Sequence, residues 1–133
     1  MNQAAARPVD FSILPGEFVV CRLPADTPVP AWTHASPFSS VTRTADELSV
    51  ICPAGHVPAE VRTERGWTLL GLRGPFPFDA VGILSSVLGP LAGAGIPILA
   101  VSTFDTDYIL VRTAQLPRAL QVLSAVGCAQ RLP

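Results

Sequence analysis

The residues best suited to chemistry are bunched in one short run, Ser102-Thr103-Phe104-Asp105-Thr106-Asp107-Tyr108. Two carboxylates and four hydroxyls sit there between very apolar segments, in what reads as a turn. Such a turn has an ordinary role, because Asp, Ser and Thr side chains cap tight loops by bonding nearby amides. It also offers counter-charge to a ligand carrying an ammonium or guanidinium group, since it holds two of the three acidic side chains of residues 66–133. Asp105 and Asp107 have the composition of an acid–base pair. No electrophile-binding motif accompanies them, so no enzymatic activity is expected.

The remaining reactive residue types are scattered. His34 lies in a Pro-rich stretch and His56 beside Gly55, without the close spacing of a zinc site or the G-x-S-x-G setting of a serine nucleophile. Cys21, Cys52 and Cys128 are odd in number and widely separated, which fits neither a disulfide framework nor a zinc knuckle, and the first two fall inside apolar strands as small hydrophobes. Gly74-Pro75-Phe76-Pro77 has no Gly-Lys-Ser/Thr ending, and its prolines remove the amides a phosphate loop uses. No metal and no cofactor are expected.

Composition narrows the partners. Hydrophobic residues are 49% and charged residues 14% of the 133, so the chain has material for a core and too little charge for disorder. The net charge of −1 contains no basic run that could track a phosphate backbone, and nucleic acid is not an expected partner. Positions 80–104 carry no charge and are long enough to cross a bilayer, but Gly89-Pro90, Gly93, Gly95 and Pro97 break them into a helix and a strand. No membrane association is expected. Residues 1–10 lack the apolar centre of a secretory signal and read as a frayed tail, which together with the free cysteines points to the cytoplasm.

Stepping the sequence along itself by 60 positions sets Val41–Ile51 against Val101–Val111, each an apolar strand, a polar turn ending in Glu47 or Asp107, and a second strand. Around the second copy, Trp67 to Leu72 reads as a strand. Asp79 stands where a helix N-cap belongs, Ile83, Leu84, Val87, Leu88 and Leu91 recur at helical spacing, and Ile96 to Val101 is a strand. After the turn come strand Tyr108–Arg112, an amphipathic helix marked by Leu116, Ala119, Leu120 and Leu123, and a short strand within Cys128–Leu132. The order βαββαβ is that of the ferredoxin-like split βαβ unit. The first copy repeats it in compressed form, with strands Glu17–Leu23, Phe38–Arg43 and Leu48–Cys52 and a brief helix Val57–Val61.

The expected fold class is therefore α+β, two tandem ferredoxin-like units with antiparallel sheets: residues 1–13 a tail, 14–65 the first unit and 66–133 the second. The uncharged, small-residue side of the long helix, with Ser85, Ser86, Gly89 and Gly93, suits close packing against another backbone, and a homodimer is the simplest symmetric source of one.

The stretch Gly95–Val111, with its Ser-Thr-Phe-Asp-Thr-Asp-Tyr run, resembles the signature of tandem ACT-like domain proteins, the family of the cytosolic arginine sensor of animals. Phe38–Thr44 followed by Glu47-Leu48-Ser49 is similar to the matching part of their preceding domain. The resemblance implies a regulatory, non-catalytic module that binds an amino acid between ACT-like units. It implies that Asp107 pairs with the ligand's cationic part, that Thr103, Phe104 and Asp105 line the pocket, that Ser40 and Val41 contribute from the other unit, and that Gly95 and Ile96 offer close backbone contact. For Gly95 the role of helix C-cap stands beside that one. A structural or protein-interaction domain without a ligand is the other class the sequence leaves open.

Overall fold

The computed structural model describes residues 8–133, so residues 1–7 of the expected tail lie outside the described residues. In chain order the elements are β1 (Phe11–Ile13), β2 (Phe18–Leu23), β3 (Ser40–Arg43), β4 (Leu48–Pro53), β5 (Arg62–Leu72), α1 (Ile83–Gly93), β6 (Ile98–Ser102), β7 (Asp107–Arg112), α2 (Leu116–Ala125) and β8 (Gln130–Arg131). The chain divides into two compact units inside β5. One is Pro15–Trp67, and the other joins Thr68–Pro133 to the residues up to Leu14. The division falls two residues beyond the Arg65-Gly66 boundary expected from the sequence, both positions lying within β5, and Phe11–Ile13 of the segment expected as a tail forms β1.

The first unit has the strand order β3-β4-β2-β5, antiparallel at every step. This is the split βαβ arrangement with its helices reduced to single 3-10 turns, Ala31–His34 and Ala54–His56. The helix expected over Val57–Val61 is absent. Five residues that include Pro58 cannot establish an i→i−4 ladder, and the Val61 amide instead donates to the Pro58 carbonyl at 3.1 Å. Val57 and Val61 still pack on the core, whose buried members are Val19 and Cys21 from β2 with Leu48, Val50 and Cys52 from β4. Alternation along β4 puts Leu48, Val50 and Cys52 on one face, as a half-covered strand requires. The neighbouring Cys21 thiol and burial push the Cys52 thiol up, which holds it protonated.

The second unit has the strand order β6-β7-β5-β1-β8. Strand β1 lies between the first and last strands of the split βαβ unit. It runs antiparallel to β5, with Phe11 opposite Leu72, and parallel to β8, with Phe11 opposite Gln130. The sequence gives no separate signal for so short a strand, because three residues show no period. Its anchoring is nonetheless firm. Val9 and Phe11 are buried in the core with Leu70, Leu72, Val87, Leu91, Ile109, Val111, Ala119 and Leu123. Asp10 accepts from the Arg131 guanidinium at 2.9 Å and from the Ala129 amide at 3.3 Å. The Arg131 bond is the main reason its carboxyl lies below the ordinary carboxylate range.

Helices α1 and α2 contribute the apolar stripes of that core. The first starts at Gly82, which has φ 83°, rather than at Asp79, and it carries Pro90 in its interior. Gly89-Pro90, a break in the sequence reading, therefore lies within the helix. No helix among the described residues is long and apolar enough to cross a membrane.

Two outcomes test this packing. Phe11→Ala lowers unfolding free energy by about 3–5 kcal/mol, as truncation of a buried aromatic does, against less than about 0.5 kcal/mol for a residue in a loose tail; urea titration measures it. Asp10→Asn lowers the melting temperature at pH 7. The difference from the parent shrinks as the pH falls below about 4, because a carboxylate with a depressed native pKa stabilises only above that value. Melting curves recorded between pH 7 and pH 2.5 give the sign.

Candidate functional site

The two hairpins are closed by the same device. In the first unit the Thr44 amide donates to the Glu47 carbonyl at 2.9 Å, and the Glu47 amide donates to Thr44 Oγ1 at 3.2 Å. In the second the Thr103 amide donates to the Thr106 carbonyl at 2.8 Å, and the Thr106 amide donates to Thr103 Oγ1 at 3.3 Å. The flanking pairs are Arg43 opposite Leu48 and Ser102 opposite Asp107. The structural repeat is therefore 59 positions, not 60. Asp107 corresponds to Leu48, and Thr106 corresponds to Glu47.

That register decides where Asp107 faces. Side chains alternate along a strand, so Asp107 shares a face with Ile109 and Val111, both in the core under the helices. Ser102, directly opposite, donates its hydroxyl to Asp107 Oδ1. At the end of the strand this face meets open space instead of core. A cleft of about 980 Å³ lies there, lined entirely by the second unit.

One wall is the turn, with Thr103, Phe104, Asp105, Thr106 and Asp107. The facing wall is the β5–α1 loop, including Phe76, Phe78 and Ala80, and the floor is α1 and Ile98. Ser85, Leu88, Gly89 and Ala92 follow one another at i, i+3, i+4 and i+7, one face of the helix. The strip read from the sequence as a packing surface is divided accordingly. Ser85 and Gly89 line the cleft, whereas Ser86 turns inward and donates to the Ile83 carbonyl at 2.7 Å. At the mouth the Phe78 and Phe104 rings lie 5.6 Å apart while remaining 83% and 82% exposed.

The electrostatics have two poles. Helix α1 opens into the cleft at Gly82, Ile83 and Ser85, with no side-chain cap and no acidic residue in its first turn. The first amides of a helix have no intrahelical acceptor and attract negative charge. The Asp105 and Asp107 carboxylates are the opposite pole, and they are the ionisable side chains that line the cleft.

Of the residues singled out from the sequence, the cleft brings together Thr103, Phe104, Asp105 and Asp107. Gly95 closes α1, its amide bonded to the Ala92 carbonyl at 2.9 Å and its φ at 75°. Ile96 is 2% exposed and belongs to the core. Ser40 and Val41 are on β3 of the first unit and are not among the lining residues. Sequence reasoning missed the Phe76–Ala80 wall. The aromatic pair set among prolines was its only signal.

The comparisons agree with this architecture. A family model described as the ACT domain matches residues 62–125, and an N-terminal-domain model matches residues 16–60. A crystal structure from Agrobacterium tumefaciens is 41% identical with a TM-score of 0.91, each chain covered over 96% of its length. The chain is an ACT domain-containing protein. This ACT-domain protein is also 36% identical over 58 residues, 43% of its length, to the human cytosolic arginine sensor for mTORC1 subunit 1, of which the match spans only 18%. The ligand-free regulatory subunit of aspartate kinase from Thermus thermophilus shares the fold, with a TM-score of 0.57 at 11% identity over 90% of this chain and 94% of that one.

Gly95→Ala tests the structural role of that residue. An added Cβ meets nothing within 4 Å, so its cost is the left-handed backbone alone, about 1–2 kcal/mol. The loss in chemical denaturation is expected to be the same with or without added amino acids.

Proposed function

We propose that the protein is a non-catalytic regulatory module that binds a free amino acid in the cleft of its second unit. An amino-acid-binding, regulatory role is what the ACT domain and likeness to the arginine sensor support. The observation that carries the finer reading is the bipolar cleft. An amino acid brings both charges into a partly dry site, and each must be met there.

In this reading the ligand carboxylate sits at the start of α1, where backbone amides take an anion. The ammonium, or a cationic side-chain group, lies against Asp107 and Asp105. Asp107 is held in place by Ser102, and an ionised carboxylate can accept further bonds. The ligand's carbon skeleton covers the apolar floor of Leu88, Gly89 and Ile98, and Phe104 and Phe78 flank its exposed side. A ligand with an acidic side chain is disfavoured, because it would bring a second negative charge to a cleft lined by two. Binding that favours one arrangement of the turn and loop shifts a conformational equilibrium which a partner protein reads.

The exposed aromatic rim favours one other reading, a protein-docking module with no small ligand. A thermal-shift screen of the twenty standard amino acids separates the two. At a concentration of about 100 times Kd a ligand stabilises the fold by about 2.7 kcal/mol, a plain rise in melting temperature. The expected result is a rise with at least one uncharged or cationic amino acid, none with aspartate or glutamate, and loss of the response in Asp107→Asn. A flat screen removes the amino-acid reading. Gly89→Leu, whose side chain grows from a position with nothing within 4 Å into the cleft floor, is expected to block the response with no loss of intrinsic stability, since leucine is the better helix former.

A further inference from the structure

The two walls of the cleft come from segments about thirty residues apart, yet they are joined at the root. The backbone N–H and C=O of Thr106 are both engaged within its own turn. Its hydroxyl reaches out of the turn and donates to the carbonyl of Leu72, the last residue of β5, at 2.8 Å. The Phe76 amide, at the base of the facing wall, donates to the Asp105 carbonyl at 2.9 Å. Between these bonds sits Gly74. A Cβ placed on it would lie 3.0 Å from the Asp105 oxygen, 3.1 Å from the Phe76 nitrogen and 3.1 Å from Thr106 Cβ. Two of those three atoms are backbone, which cannot swing aside as a flexible side chain can.

We infer that Thr106 and Gly74 are positioning residues of the ligand site. They bolt the acidic turn to the β5–α1 loop, so that the spacing between the Asp105–Asp107 pole and the start of α1 is fixed before any ligand arrives. This rests on the cleft being the amino-acid site proposed above. A four-residue hairpin turn is held by its own strands only at one end, and its far side is free to rock. Each bolt removes one direction of rocking, and together they make the loop and the turn one body. A ligand that must touch both poles then binds without first having to order them, which raises affinity through preorganisation. Thr106 has no need to touch the ligand in order to matter.

The side chain that corresponds to Thr106 in the first hairpin is Glu47, which has no hydroxyl to offer. That turn carries the same internal closure without such a strut, and so the device is particular to the hairpin that lines the cleft.

Thr106→Val keeps the shape and removes the donor, Thr106→Ser restores the donor, and Gly74→Ala inserts the obstructing methyl. Amide exchange at Phe76, followed by NMR, reads the joint without any ligand. Thermal shift with each of the twenty amino acids at about 10 mM reads its effect on binding. Faster Phe76 exchange and at least tenfold weaker binding in Thr106→Val, both recovered in Thr106→Ser, with Gly74→Ala as impaired as Thr106→Val, supports the proposal. Unchanged Phe76 exchange in Thr106→Val, or full affinity in both Thr106→Val and Gly74→Ala, overturns it. Loss of binding that Thr106→Ser fails to recover also overturns it, because a merely disrupted turn behaves that way. If the parent protein responds to no amino acid, the ligand reading fails, and the exchange measurement still decides whether the walls are joined.

Discussion

A threonine hydroxyl bonded to the amide three residues on sets the register of both hairpins, and most of what the second unit can do follows from it. Four residues bridge each pair of strands, so the fourth residue after the threonine begins the return strand on the face that carries the core. In one hairpin that residue is Leu48, fully buried, and it completes a core. In the other it is Asp107, and it ends a core. A slip of one residue would send Asp107 to the opposite face and Tyr108 into the cleft, because the side-chain period of a strand is two. The chemistry of the site is thus a property of pairing before it is a property of the acid itself.

The two units show what the same topology becomes with and without helices. Both keep the split βαβ strand order. The first has single turns where the second has α1 and α2, so it has no helix start that could receive an anion and no helix face to floor a cleft. Burial of α1 against the second unit's core through Val87 and Leu91 leaves the opposite strip, Ser85, Gly89 and Ala92, available to a ligand, and the small size of these residues is what gives the cleft its depth.

Much of this was legible in the sequence where periodicity was strong. The strands at 18–23, 48–53 and 107–112, the two helices and the hairpin repeat all follow from apolar spacing and turn residues. The acidic run was recognisable because charged residues are scarce. The spacing of the repeat was misjudged by one, since Glu47 and Asp107 are both acidic and chemical likeness concealed the geometry; the threonines at 44 and 103 were the better markers. Asp79 has the right chemistry for a helix cap but lies four residues before Ile83, and a left-handed Gly82 starts the helix instead. Gly95 and Ile96 read as ligand contacts only through family resemblance, while their local physics, a positive φ followed by a buried aliphatic residue, is that of a helix end. The β5–α1 wall was opaque because loop contacts across thirty residues leave no period to detect.

The placement of β1 has a bearing on how the protein is made. Its partners in β5 and β8 lie far along the chain, Phe11 pairing with Leu72 on one side and with Gln130 on the other. Contacts such as Asp10 with Arg131, 121 positions apart, close a long loop, and such closures are entropically slow steps in folding. The second unit is therefore not a separable cassette: cut from the residues before Leu14, it would present an unfilled slot between two strands, and any exchange of that slot's occupant between neighbouring copies would tie two chains together.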